Sequence, residues 1–189
     1  YRDVIRASAV SEEMKGFRLE YFREFVRKYE LEGKKILEAG CGCGEFLELM
    51  NQAGALGYGI EHKRESVENC ARKGLHVFEG FLDHAQTGLQ EAPFDGFFIM
   101  NFLEHIPRPN IFLKAIGNNL AEHAVGLIEV PNVDMILKKN MFSEFIRDHL
   151  MYFTESTLRF LLEKNGFEGA DCLSVWHVYC LAATVKKKS

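Results

Sequence analysis

The sequence has no apolar run approaching the about 18 residues that a membrane-spanning helix needs, so nothing in it reads as a bilayer anchor. It has no basic excess either: 23 Lys and Arg stand against 27 Asp and Glu, a net charge of −4. Duplex nucleic acid is held through cationic contacts to phosphate, and a chain with this balance lacks that footprint, so no nucleic-acid partner is expected. Cysteine is sparse and unpatterned. Cys41, Cys43, Cys70, Cys172 and Cys180 are odd in number and include no CxxC pair, which argues against a disulfide framework or a zinc site and for a reducing compartment. No signal-peptide pattern opens the chain, and we expect a cytoplasmic protein with no membrane partner. The chain begins at Tyr1 rather than at methionine, which leaves an upstream segment open.

What is present is the composition of a globular domain. The 189 residues are 47% hydrophobic and 12% aromatic, enough to bury one sizeable core, and we read residues 1–189 as a single domain. The chain is organised around Lys35 to Glu61. Ile36 and Leu37 close a short apolar run, Glu38, Gly40, Gly42 and Gly44 fall on alternate positions, and helical spacing takes over at Phe46, Leu47 and Met50. That is a strand, a glycine turn and a helix, in which glycines accept positive φ and the helix N-terminus offers N–H groups to a ligand. A dinucleotide fold wants G-x-G-x-x-G, but Glu45 occupies the place of the third glycine. Carboxylates at Glu38 and Glu45 repel a pyrophosphate and attract a cationic ligand. Tyr58-Gly59-Ile60 then forms a second strand ending in Glu61, where a carboxylate can accept both hydroxyls of a ribose.

Glu38-x-Gly40-x-Gly42-x-Gly44 followed by Gly59-Ile60-Glu61 resembles the first two motifs of class I S-adenosylmethionine-dependent methyltransferases. The resemblance implies a three-layer, Rossmann-like α/β fold, with a mostly parallel seven-stranded sheet and a reversed C-terminal hairpin. It also implies S-adenosyl-L-methionine as cofactor, its methionine part on the glycine loop (Glu38, Gly40, Cys41, Gly42, Gly44) and its ribose on Glu61, with His62 as a pocket wall. Gly80-Phe81-Leu82-Asp83 falls where the family's adenine-contacting turn lies; the usual acid after the glycine is replaced by Phe81, with Asp83 as a candidate substitute. Asn101-Phe102-Leu103-Glu104-His105 resembles the segment after the fourth strand, so Asn101, Phe102, Glu104 and His105 are expected to face the site, with Asn101, Phe102 and His105 as cofactor-binding residues.

The remaining elements are read from periodicity. Met14, Phe17, Tyr21, Phe22, Phe25 and Val26 mark an amphipathic leading helix within residues 1–30, with Ser11 as N-cap. In the family such a helix closes over the cofactor, which implies that role for Phe17, Arg18 and Tyr21; simple cover for one sheet face is the alternative. Further helices are expected over about 65–73 and 110–122, and another capped by Thr154. Strands are expected over 75–78, 96–100, 125–130, 170–175 and 177–185. Residues 133–153 read as an irregular, apolar-rich, lid-like insertion, the usual form of a binding loop in a compact domain.

Methyl transfer is an in-line displacement at a carbon activated by sulfonium, so alignment and dryness dominate, and a base is needed only when the acceptor must lose a proton. His149 lies in Asp148-His149-Leu150-Met151-Tyr152-Phe153-Thr154, which resembles the His-x-x-Tyr-Phe-Ser/Thr stretch of sugar C-methyltransferases and related enzymes. Ile146 stands where some of those carry a tyrosine. His149 and His105 are therefore the candidate catalytic bases, each weighed against a packing role. The chain lacks the Asp/Asn-Pro-Pro-aromatic signature of DNA amino-methyltransferases and the Pro-Cys nucleophile of cytosine carbon-5 enzymes. Pro131-Asn132-Val133 supplies no carboxylate pair for a catechol-type metal site, and no metal is expected. Lys138, Lys139 and Arg147 could hold an anionic group of a substrate. The expected function is methylation of a small molecule; a non-catalytic cofactor-binding scaffold and a dinucleotide-dependent oxidoreductase are the alternatives.

Overall fold

A computed structural model describes residues 11–189; the part of the leading segment before Ser11 lies outside the described residues. Helix α1 (Glu12–Lys28) starts where Ser11 accepts a hydrogen bond from the Met14 N–H at 3.1 Å. Its acids in the first turn and bases in the last complement the helix dipole. Seven strands follow: β1 (Lys35–Ala39), β2 (Leu56–Glu61), β3 (His76–Glu79), β4 (Phe94–Met100), β5 (Leu120–Pro131), β6 (Phe167–Val175) and β7 (Cys180–Lys187). They form one sheet in the order β3-β2-β1-β4-β5-β7-β6. Every pairing is parallel except those of β7, which runs antiparallel between β5 and β6. The strand order reverses between β1 and β4, the place where open α/β sheets build a ligand crevice beyond their carboxyl ends.

Helices α2 (Glu45–Gln52), α3 (Arg64–Arg72), α4 (Pro109–Asn118), α5 (Val133–Lys138) and α6 (Glu155–Lys164) complete the helical layers. Alternation along β4 shows why its sequence is apolar throughout. Phe97 and Ile99 enter one core with Phe112, Ile116, Leu158 and Phe167, whereas Phe98 and Met100 enter another with Phe22, Leu47 and Leu127. Each such buried side chain contributes about 1.5–3 kcal/mol by leaving water. Helix α1 thus covers a sheet face through Phe22, Phe25 and Val26.

Three expectations need correction. The helix expected over 110–122 ends at Asn118, and β5 starts at Leu120. The Asn119 side chain donates to the carbonyls of Ala115 at 2.9 Å and Thr87 at 2.6 Å and accepts from Leu89 N–H at 2.7 Å, which fixes the break. His177 is in no strand. Trp176, His177 and Val178 form a tight turn at φ 46, 55 and 61, and β6 begins three residues earlier than expected, at Phe167. The insertion is not irregular throughout: Asn132 accepts from Met135 N–H at 3.4 Å and caps α5.

Candidate functional site

The glycine turn lies between the carboxyl end of β1 and α2. Gly40, Gly42 and Gly44 all have positive φ, at 80, 54 and 81. A Cβ at Gly40 would stand 2.4 Å from the Phe102 ring, and one at Gly44 2.4 Å from Leu75 Cδ1. Glycine is required at both by backbone angle and by space. Glu61, buried at the end of β2, ties the turn down: its carboxylate accepts from the Gly42 N–H at 2.9 Å and from the Lys63 N–H at 2.9 Å. His62 Nδ1 stands 3.0 Å from the same group, and the His62 ring stacks on exposed Phe81 with centroids 4.7 Å apart.

Beside this turn opens a cavity of about 230 Å³. Gly40, Glu61, His62, Phe81, Leu82 and Phe102 line it, six residues expected from the sequence, and Asp83 joins them. Ile60, Gly80, Ile106, Pro107, Arg108 and Phe112 also line it. Of these, Ile106 to Phe112 were not expected at the site; the available signal was their position just past a strand end, with Phe112 on the buried side of a helix that starts there.

The cavity does not reach Glu38, Cys41, Gly42, Gly44 or Asn101. Glu38 is buried at 2% exposure on β1. The Cys41 thiol is pushed well up by its hydrogen bond to Cys70, then by burial and by the Glu38 and Glu61 carboxylates, so it is a packed, protonated group. Gly42 contributes through its N–H to Glu61. Asn101, at φ 48, donates from its amide to Glu129 at 3.1 Å. Glu129 is fully buried on β5 and pairs through both oxygens with the Arg18 guanidinium of α1. Burial opposes the Arg18 charge, Glu129 outweighs it, and the net shift is upward. Phe17 stacks on Tyr21 and meets Trp176 at 5.2 Å. Helix α1 therefore both covers a sheet face and reaches the end of β5.

The two candidate bases stand together, outside the cavity lining. His105, 3% exposed, donates from Nδ1 to the Asp148 carbonyl at 2.8 Å; a carbonyl can only accept, which places the proton on Nδ1. Its ring meets His149 edge-on with centroids 4.8 Å apart. Burial lowers the pKa of both, and for His149 the neighbouring His105 adds to the effect. Glu104, 1% exposed, has its carboxyl pushed up to about 8 by burial. What brings these groups together is backbone: the N–H groups of Leu150 and Met151 donate to the Glu104 carbonyl at 2.9 and 3.2 Å, seating the end of the insertion on the turn after β4. Lys138, Lys139 and Arg147 are exposed on the insertion.

A family model described as a methyltransferase domain matches residues 10–171. The chain belongs to the class I S-adenosylmethionine-dependent methyltransferases. Among curated relatives, this methyltransferase is 28% identical over 145 residues to C-methyltransferase NovU of Streptomyces niveus, covering 74% of this chain and 34% of that one. It is 31% identical over 187 residues to the ubiquinone biosynthesis O-methyltransferase of Bordetella avium, covering 87% of this chain and 76% of the relative. The chain thus spans about a third of the first relative and about three quarters of the second. Magnesium protoporphyrin IX methyltransferase from Synechocystis PCC 6803 with bound SAH shares the fold at a TM-score of 0.69 and 17% identity, over 95% of this chain and 89% of that one. The PH0226 protein of Pyrococcus horikoshii OT3 does so at 0.76 and 15%, over 100% and 98%.

The residues present fit the family's donor. A side chain at Gly40 would fill the approach to the turn, the cavity wall is mostly apolar and aromatic as an adenine requires, and the Glu61 carboxylate stands among those walls.

Proposed function

We propose that this methyltransferase moves the methyl group of S-adenosyl-L-methionine to a small-molecule acceptor by in-line displacement. The observation that carries the proposal is a cavity bounded by the glycine turn, the Glu61 carboxylate and the His62–Phe81 stack. Glu61 suits the ribose, because each of its oxygens can accept a hydroxyl hydrogen bond beside the N–H bonds it already takes. Phe81, Leu82 and Phe102 suit the adenine face. Glu38, Cys41, Gly42, Gly44 and Asn101 support the methionine end of the donor from beneath the turn.

The acceptor side is the insertion. Leu137, Phe142, Phe145, Ile146 and Leu150 expose apolar surface there, which favours an acceptor with an apolar body, and Lys138, Lys139 and Arg147 offer cations to an acidic group on it. We assign to His149 the removal of a proton from the acceptor; burial and the neighbouring His105 lower its pKa, which keeps the imidazole neutral at pH 7 and supports that role. His105, committed through Nδ1 to Asp148, orients His149. Methyl transfer itself forms one bond from the acceptor atom to carbon and breaks one carbon–sulfur bond, with the electron pair returning to sulfur. Among the described residues no helix is long and apolar enough to cross a membrane. None of the five cysteines forms a disulfide.

The test is release of S-adenosylhomocysteine from S-adenosylmethionine across a panel of hydroxylated, amine and carbon-acid acceptors. Acceptor-dependent release is expected. Cofactor binding without release across the panel would move the protein to the class of cofactor-binding scaffolds.

A further inference from the structure

Glu104, His105 and His149 come from two segments, the turn after β4 and the end of the insertion, and each offers a ligand atom within 4.8 Å of the others. The carboxylate is the unusual member. Glu104 is 1% exposed, and beyond its own backbone N–H neither of its oxygens has a hydrogen-bond partner. His105 Nε2 stands 3.9 Å from Oε1, beyond hydrogen-bond reach. Left in this way the group is neutral through its proton near pH 7, and its oxygens still forgo partners that a buried polar group normally has; a cation in reach would displace that proton. The Nδ1 of His149 is likewise buried with no hydrogen-bond partner. Meanwhile the hydrogen bond from His105 Nδ1 to the Asp148 carbonyl sets the tautomer whose Nε2 bears the lone pair, the arrangement by which metal-binding histidines are oriented.

We propose that Glu104, His105 and His149 form a binding site for one divalent first-row transition-metal ion. Two imidazoles and one carboxylate are a donor set for zinc, cobalt, nickel or iron, and too nitrogen-rich for calcium or magnesium. Metal–ligand bonds of about 2.0–2.2 Å hold neighbouring ligand atoms roughly 3–3.5 Å apart, so the cluster closes by about an ångström or so on binding. His149 can supply that movement, because it is half-buried and sits on the insertion. Three protein ligands leave at least one position for water. The site is separate from the donor cavity, whose walls include none of the three residues; the base role proposed for His149 belongs to the metal-free protein, and with a metal bound the open water position would take it over.

The test is titration of the chelator-treated protein with Co²⁺, followed by visible absorption and equilibrium dialysis. One equivalent is expected, with the weak d–d bands of nitrogen and oxygen ligation. Its affinity is expected to fall at least tenfold in both His149→Ala and Glu104→Gln; His149→Ala is the safer variant, since its side chain is not part of the core. No stoichiometric binding, an intense sulfur-to-cobalt charge-transfer band that assigns the metal to cysteine, or equal affinity in wild type and both variants would each overturn the proposal. S-adenosylhomocysteine binding in the same samples reports the donor cavity on its own. No cobalt binding by wild type with retained nucleoside binding therefore fails the metal site alone, and stoichiometric cobalt binding without nucleoside binding fails only the donor reading.

Discussion

Gly40 shows how closely backbone and pocket are coupled at single positions. At φ 80 it occupies the left-handed region, and the place of its missing side chain is occupied to within 2.4 Å by the Phe102 ring, itself a cavity wall. Gly40→Ala is expected to lose about 1–2 kcal/mol to the backbone angle alone and to push Phe102 into the donor's space. Urea unfolding reads the first effect, and at least a tenfold loss of S-adenosylhomocysteine affinity reads the second. Unchanged affinity would show that the donor does not approach Gly40. The glycine turn and Glu61 were legible in the sequence because both are local: spacing and residue type alone define them. Arg18 was not placed by the same means. Its partner Glu129 is 111 positions away, and no local pattern reports that a helix will set a guanidinium on a fully buried carboxylate.

At the scale of elements, that pair fastens α1 to β5. Removing one member of a buried ion pair leaves the other charge stranded, at a cost of about 3–5 kcal/mol. The Asn101 amide, 3.1 Å from Glu129, softens this, so Arg18→Met is expected to lose about 2–4 kcal/mol by urea unfolding. Faster amide exchange is expected to be confined to α1. A uniform rise in exchange across the sheet would contradict a local latch. Strands β1, β2 and β4 could be read from sequence because apolar runs bounded by turn residues have few other solutions. The end of α4 could not: Ile111, Phe112, Ala115, Ile116 and Leu120 keep a helical spacing past the true end. Asn119 stops the helix only by bonding residues 87 and 89 of a loop distant in sequence. The turn at Trp176 to Val178 was illegible for the opposite reason. It has no glycine, and three side chains take positive φ where the chain reverses into β7, with the Val178 carbonyl held by the Asn132 amide at 3.1 Å.

For the whole molecule, the sheet order places every expected donor residue at one end of the strands, so donor binding should couple to global stability. S-adenosylhomocysteine at about 100 times its Kd adds about 2.7 kcal/mol, which for a chain of this size raises Tm by roughly 5–10 °C. Differential scanning fluorimetry checks this, and a comparable shift with NAD in its place would point to the oxidoreductase alternative. Calorimetric titration of S-adenosylhomocysteine into wild type and Glu61→Gln puts the donor reading to its sharpest test. Glutamine keeps the shape but can accept through one oxygen only, so either Gly42 N–H or Lys63 N–H loses its partner and the ribose loses its carboxylate. One-to-one binding by wild type and a loss of at least tenfold, about 1.4 kcal/mol or more, in Glu61→Gln is the expected result. No binding by wild type, or equal binding by the two proteins, would contradict the assignment of this cavity to the methyl donor.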